Sequence, residues 1–252
     1  MQLKFITLNL ENGGSMIERA AEFILHEKPD ILFLQEAYNG LDTNLPERLR
    51  SVTVLQNASK FEHSSFAPAF FELSQNLERG NAILSRFPFS LKKAINFVAP
   101  YEKIREYDLE PDYRMSPRIL QSDVVEINGT SVKLLNMHGA WDFHGNDTEV
   151  RFDQSKLLLN EFDERDIVIT AGDFNMFPET KAIALIEQRL ENVFGNSLRT
   201  TFNMKRKESP SFATAVVDMV FISKHFKVIQ KNCPQIDISD HLPLVVVLDL
   251  AT

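Results

Sequence analysis

Apolar positions along the chain follow two periods that take turns. Over residues 4–9, "KFITLN" alternates apolar and polar, which predicts a strand. In "SMIERAAEFILHEK" the residues Ile17, Ala20, Ala21, Ile24 and Leu25 keep the i, i+3, i+4, i+7, i+8 spacing of an amphipathic helix. Ser15 and Glu18 have the spacing of a capping box at its start. "DILFLQE" at 30–36 returns to a strand. Further on, "ILQSDVVEI" and "SVKLLNM" flank Asn128-Gly129, a pair that predicts a tight hairpin because both turn positions favour positive φ. "DTEVRFDQSKLLLNEF" at 147–162 reads as a helix through Val150, Gln154, Leu157, Leu158 and Phe162, feeding a strand in "DIVITA". "ETKAIALIEQ" predicts another helix, and "AVVDMVFIS" (215–223) and "LPLVVVLDL" (242–250) predict strands. The stretches 56–80, 98–117 and 196–212 carry no clear period and read as loops, the kind of segment that often holds function in a compact domain. Hairpins mixed with strand–helix–strand units predict an α/β protein with mixed sheets. With no repeat and no Gly/Ser-rich linker, residues 1–252 are expected to form one domain.

Polar residues collect where these strands end. Asn9 closes the first, Glu36 the second, and His138 ends "VKLLNMH". Asp173 and Asn175 follow "DIVITA" in "GDFN", and Asp240-His241 precede the last strand. Glu36 alternates with Leu32 and Leu34, which aims its carboxylate off an apolar face. Asp218 shares its face with Val216, Val220 and Ile222. Taken singly, each has an ordinary explanation: a turn for Asn9 and "GDFN", an ion pair for Glu36, a satisfied rim histidine for His138, a cap for "SDH". Taken together, acidic and imidazole groups at one rim would repel and desolvate one another without a purpose, most simply a bound cation.

Charge narrows the partners. Lys and Arg total 27 against 35 Asp and Glu, a net −8, so nucleic acid is an allowed partner but no basic footprint advertises it. Lys205-Arg206-Lys207 reads as a solvated loop. Phe61, Phe66, Phe70 and Phe71 read as the core face and entry loop of a strand, and Trp141 and His144 are placed to line a pocket beside His138. Cys233 is the lone cysteine, no apolar run approaches the ~18 residues of a membrane span, and Asn9 and Glu11 interrupt the N-terminal apolar stretch. A cytoplasmic protein is expected.

The ordered set "LN" at 8–9, "LQE" at 34–36, "NMH" at 136–138, "GDFN" at 172–175, "VDMVF" at 217–221 and "SDH" at 239–241 resembles the endonuclease/exonuclease/phosphatase superfamily, deoxyribonuclease I-like, from residue 7 to 243. The resemblance implies a four-layer α/β/β/α sandwich of two packed mixed sheets flanked by helices. It also implies Mg²⁺- or Mn²⁺-dependent phosphoester hydrolysis by in-line attack of water on phosphorus. His138 matches the deoxyribonuclease I, sphingomyelinase and phosphatase branches better than the abasic-site endonucleases, which resemble one another in carrying a tyrosine there. Arg118 resembles the arginine that faces the scissile phosphate.

The chemistry of the side chains assigns candidate roles beside that resemblance. Mg²⁺ takes a carboxylate, an amide and several waters, so Glu36, Asn9 and Asp240 are the candidate metal ligands, with Glu11 adjacent. Asp173 is the candidate base, Asn175 the phosphate-oxygen donor alongside Arg118, and Asp218 the carboxylate that fixes the tautomer of His241. His138, Asp173, Asn175, Asp218 and His241 form the expected catalytic set. A phosphodiesterase, nuclease-like or tyrosyl-DNA phosphodiesterase-like, is the first expectation. A phosphatase or phospholipase C-type hydrolase of inositol phosphates or sphingolipids is the second, and a non-catalytic binding protein of the same fold the third.

Overall fold

The computed structural model describes residues 1–105 and 112–250. In chain order its elements are β1 (Gln2–Asn9), α1 (Ile17–Glu27), β2 (Ile31–Tyr38), α2 (Ser51–Ser59), β3 (His63–Glu72), β4 (Leu77–Ser85), β5 (Phe89–Phe97), β6 (Lys103–Ile104), β7 (Arg118–Ile127), β8 (Thr130–His138), α3 (Glu149–Leu159), β9 (Val168–Asp173), α4 (Lys181–Glu187), β10 (Glu191–Asn192), β11 (Asp218–Ile222), β12 (Phe226–Asn232) and β13 (Leu244–Leu250). They assemble two mixed sheets, ordered β12-β13-β1-β2-β4-β3-β6 and β10-β11-β9-β8-β7-β5. β1 runs parallel to β2, and β8 parallel to β9; most other neighbours are antiparallel.

Alternation along the strands sorts side chains into layers. Leu3, Phe5, Ile31 and Phe33 of the first sheet meet Val132, Leu134, Ile169, Val220 and Ile222 of the second in the central core. Phe5 and Phe33 touch edge to face at 4.8 Å, and truncating either would cost about 3–5 kcal/mol. The outer face of the first sheet, with Ile6, Leu8, Leu32 and Leu34, is covered by α1 and α2. The outer face of the second, with Leu135, Met137 and Phe221, is covered by α3 and α4. This is the α/β/β/α sandwich expected. Among the described residues no helix is long and apolar enough to cross a membrane.

Several expectations stand and several fall. Asn128 (φ 51°) and Gly129 (φ 82°) make the predicted turn between β7 and β8. Residues 56–80 are not an irregular loop: His63–Glu72 and Leu77–Ser85 are long paired strands, hidden because bulges and buried polar residues blur their alternation. Within 98–117, residues 106–111 lie outside the described residues. The capping box does not form; α1 starts at Ile17 and Ser15 Oγ donates instead to Glu11 Oε2 at 2.9 Å. Leu25 is solvent-exposed, its place on the buried face taken by Phe23. In α3, Gln154 and Leu158 of the predicted stripe are buried, with Phe162 just beyond the helix and Leu157 packed on the same core; Arg151 and Ser155 join the buried face, and only Val150 of the stripe is exposed.

Candidate active site

The second sheet delivers its polar residues in register. At the ends of β8, β9 and β11, His138 pairs across from Asp173, and Asp173 from Asp218; Ile119, next to Arg118, pairs with His138. Gly172 precedes Asp173 at φ 138°, and a Cβ there would sit 2.0 Å from the Met137 carbonyl, so only glycine permits this approach. The first sheet needs a distortion to contribute. β2 slips register between Leu34 and Ala37, and Glu36 takes φ 57° in that bulge. Leu32, Leu34 and Ala37 all pack outward under the helices, while Gln35 and Glu36 both turn toward the other sheet. Glu36 therefore does not share the face of Leu32 and Leu34 as its alternation predicts. Glu11, Asn12 and Asn175 also adopt left-handed φ at this rim, a backbone cost of the kind that gathers at binding sites.

A cleft of about 370 Å³ opens here, lined in part by Glu11, Glu36, Arg118, His138, Asp173, Asn175, Asp240 and His241. Asn9 lies just beneath, almost fully buried. Its Nδ2 donates to Glu36 Oε1 at 3.3 Å and to Asp173 Oδ2 at 3.1 Å, while its Oδ1 accepts from the Glu11 amide at 3.0 Å. Asp218 sits behind His241. A larger depression of about 510 Å³, lined by Phe177, Leu198, Arg199 and Val216, holds none of these titratable groups.

Charge is arranged in two groups. Asp173, Asp218 and His241 form a closed trio whose ligand-capable atoms all lie within 4.8 Å of one another. His241 Nδ1 donates to Asp218 Oδ2 at 2.8 Å, and its Nε2 faces Asp173 Oδ2 at 3.9 Å. Burial works against the imidazolium, but Asp218, Asp240 and Asp173 outweigh it and raise His241 to about 10. Asp173 is driven upward by burial and by Asp218, partly offset by His241, with the Asn175 amide donating at 2.9 Å. The second group, Glu11, Glu36 and Asp240, is open to the cleft and countered by two cations. Arg79 pairs with Glu36, and Lys207 with Asp240. Burial opposes ionisation of Glu36, yet the Arg79 guanidinium and the Asn12 amide hold it far below the usual carboxylate range. Glu11 is raised by burial and then by repulsion from Asp240.

Between the groups, Arg118 Nη1 donates to His138 Nε2 at 2.8 Å. Burial and then the Arg118 charge push His138 well below its ordinary value, so it is neutral with its proton on Nδ1.

Three contributors escape sequence reasoning. Arg79 lies inside β4, where no pattern marks a buried cation. Lys207 belongs to a basic run that reads as solvated, but its ammonium lies over Phe202 and Phe212 at 5.3 and 5.2 Å. Arg151 in α3 is fully buried and donates to the carbonyls of His144, Asn146 and Asn175, tying two site loops to one helix. Its spacing gave one cue: it stands three residues after the cap Thr148, on the face away from Val150. Trp141 lines the cleft as expected; His144 is exposed and contributes a carbonyl.

The fold is shared with other proteins. A structure from Beutenbergia cavernae described as an endonuclease/exonuclease/phosphatase aligns with a TM-score of 0.76 at 21% identity, over 99% of this chain and 72% of that one. D. rerio TDP2 with a single-strand DNA product aligns at 0.72 and 17% identity, over 98% and 99%. A mannosyl-6-phosphatase from Bacteroides thetaiotaomicron aligns at 0.71 and 15%, over 98% and 100%. A UPF0294 protein of Vibrio vulnificus is 31% identical over 150 residues, 57% of this chain; the match spans about half, 49%, of that relative. The Endonuclease/Exonuclease/phosphatase family matches residues 6–241. The chain belongs to that family, whose members hydrolyse phosphoester bonds.

Proposed function

We propose that the chain is a divalent-metal-dependent phosphoester hydrolase, acting by preference on a phosphodiester. The observation that carries this reading is the division of the cleft: open carboxylates on one side, a closed Asp173–His241–Asp218 trio on the other, and Arg118, His138 and Asn175 between them.

A hard divalent cation fits the open group better than the closed trio. Glu11, Glu36 and Asp240 offer carboxylate oxygens around one cleft; Glu11 is raised by burial and then by repulsion from Asp240, and a cation between them would offset that repulsion. In the trio, His241 Nδ1 is engaged with Asp218, and both Asp173 oxygens accept from Asn9 Nδ2 and the Asn175 amide. Glu36 and Asp240 would hold the metal, with Glu11 beside them. Asn9 braces Glu36 against Asp173, a positioning role in place of the direct ligation expected from sequence. When bound, such a cation neutralises charge on the phosphoryl and leaving oxygens.

The chain's own residues do the rest. Arg118 and Asn175 hold phosphoryl oxygens, and neutral His138 orients the Arg118 guanidinium. Asp173 takes the proton of the attacking water as the new O–P bond forms and the P–O bond to the leaving group breaks. Asp218 orients the His241 ring and keeps it an imidazolium, which stabilises negative charge on phosphorus-bound oxygen.

Product release in Mg²⁺ or Mn²⁺ from oligonucleotides, a 5′-tyrosyl oligonucleotide, sphingomyelin and inositol phosphates tests this reading. Activity lost in EDTA and in Asp173→Asn is expected; activity that survives both rejects it. A second reading is a phosphatase of small phosphomonoesters. The cleft of about 370 Å³ is the size of a small-molecule pocket, and the net charge of −8 does not favour a polyanion. Preference for a phosphomonoester over every diester in the panel would establish it.

A further inference from the structure

The two walls of the cleft are both aromatic, but only one is finished. On the first, Phe202 and Phe212 meet at 4.7 Å, with Lys207 over both rings and the His241 ring against Phe202 at 4.6 Å. Phe202 is 8% exposed. The rings of that wall line the cleft, but Lys207 and His241 already occupy much of their faces. On the other, Tyr113 and Trp141 line the cleft with ring centroids 5.7 Å apart and planes at 90°, and Trp141 meets Phe143 at 5.0 Å. This row runs from the cleft outward, and its outer end is open: Phe143 is 55% exposed. The Arg114 guanidinium lies over the Phe143 ring at 5.4 Å and is held there by the Asp112 carboxylate.

Position links the row to the phosphate site. Trp141 follows His138 by three residues, so their Cα atoms are within about 11 Å even for extended chain. His138 in turn contacts Arg118 at 2.8 Å. A ring joined to a phosphate through a sugar spans a gap of that size. The chemistry of the row also discriminates among occupants. An acyl chain calls for a long apolar groove, whereas here the apolar surface is three ring edges and faces bordered by Arg114, Asp112 and Arg118. A flat ring with a polar edge matches such a border.

We propose that Tyr113, Trp141 and Phe143 form a stacking platform for a nucleobase of the substrate, which makes the substrate a nucleotide or an oligonucleotide end. The proposal rests on the phosphoester reading above and narrows it. Trp141 and Tyr113 present the surface nearest the phosphate, and Phe143 with Arg114 extends it for the outer part of the base or its neighbour. Specificity for the base is low on this surface, because every base has a π-face and none of the three rings reads a base edge.

Trp141 is the only tryptophan in the chain, so intrinsic fluorescence reports on the platform alone. The wild-type protein in Mg²⁺ is titrated with a phosphonate analogue of AMP, which has no ester to cut, with the same phosphonate lacking the base, and with mannose 6-phosphate. The expected result is quenching of Trp141 by the AMP analogue, with affinity about 5- to 150-fold above the base-free analogue. Phe143→Leu, at a site 55% exposed where the fold tolerates truncation, is expected to narrow that gap and leave the base-free affinity unchanged. Equal affinity with and without the base, or mannose 6-phosphate binding as tightly as the AMP analogue, overturns the platform. Hydrolysis of base-free phosphoesters alongside equal affinity would sink the platform and leave the hydrolase standing. Quenching by the AMP analogue without cleavage of any phosphoester would do the reverse.

Discussion

The two acidic groups of the cleft contain similar side chains and are built in opposite ways. Asp173 and Asp218 stand at the ends of regular, neighbouring strands and close on His241 and on backbone amides. Glu36 reaches the cleft through a bulge, and Glu36 and Asp240 face outward with only Arg79 and Lys207 to counter them. On the proposed reading, the closed group would hold a proton in place and the open group a cation. A site that moves a proton beside a cation needs both, and the difference between the groups predicts which substitution damages which function.

Asp173→Asn should give the largest effect. Removing the base is expected to lower turnover by about 10²–10⁴-fold, with metal affinity and thermal midpoint near wild type. Steady-state kinetics on whichever substrate the panel identifies provides the check, and a loss of less than tenfold would remove Asp173 from that role. Next comes Arg79→Met, which leaves Glu36 buried without its main counter-charge. Chemical denaturation should show a loss of about 3–5 kcal/mol, much of it recovered in the double variant Arg79→Met/Glu36→Gln. No recovery would mean that Arg79 acts by packing alone.

The pH dependence separates the groups again. His241 is raised in the folded protein, so its contribution is fully present below the unfolded imidazole value near 6.5 and is lost as pH rises through about 10. Melting curves between pH 7 and 11 should therefore fall more steeply for wild type than for His241→Asn; parallel curves would contradict the ion pair. The smallest effect belongs to Lys207→Met. Freeing Asp240 of its internal ammonium should tighten Mg²⁺ binding a few-fold, on the order of 1 kcal/mol for a partly exposed pair, as read by calorimetry. Weaker binding in this variant would show that Lys207 supports the cation site instead of competing for it.

The closed group was the legible one. A strand that keeps its alternation to the last residue announces where its end points, and so Asp173, with His138 beside it, could be placed at a rim from pattern; Asp218 read as lying within a strand that in the structure begins at that residue. Asn128-Gly129 declared its turn by the same local logic. The open group was only half legible. Glu36 could be named, but its direction depends on a bulge that opposes Asn81, and nothing within "ILFLQE" encodes that partner. Arg79 and Lys207 were invisible for a related reason: their burial is decided by Glu36, Phe202 and Phe212, which are remote in sequence. The phenylalanines of 61–71 signalled a strand, but its length and its partner at 77–85 were hidden because the polar residues Ser65, Asn81 and Ser85 are buried between or beside the sheets, breaking the apolar pattern. Among these, Asn81 Nδ2 donates to the Asn136 carbonyl of the opposite sheet at 2.9 Å, and Gln35 Nε2 donates to Asn136 Oδ1 at 2.7 Å. Asn136, part of the "NMH" motif, is thus a tie between sheets beneath the cleft.

The division of labour between the groups is tested most directly by Mn²⁺ or Mg²⁺ calorimetry on wild type, Glu36→Gln and Asp218→Asn. The account predicts that Glu36→Gln abolishes or greatly weakens binding while Asp218→Asn binds as wild type does. Binding that survives Glu36→Gln and disappears in Asp218→Asn would place the cation in the Asp173–Asp218–His241 trio and contradict the assignment of both groups.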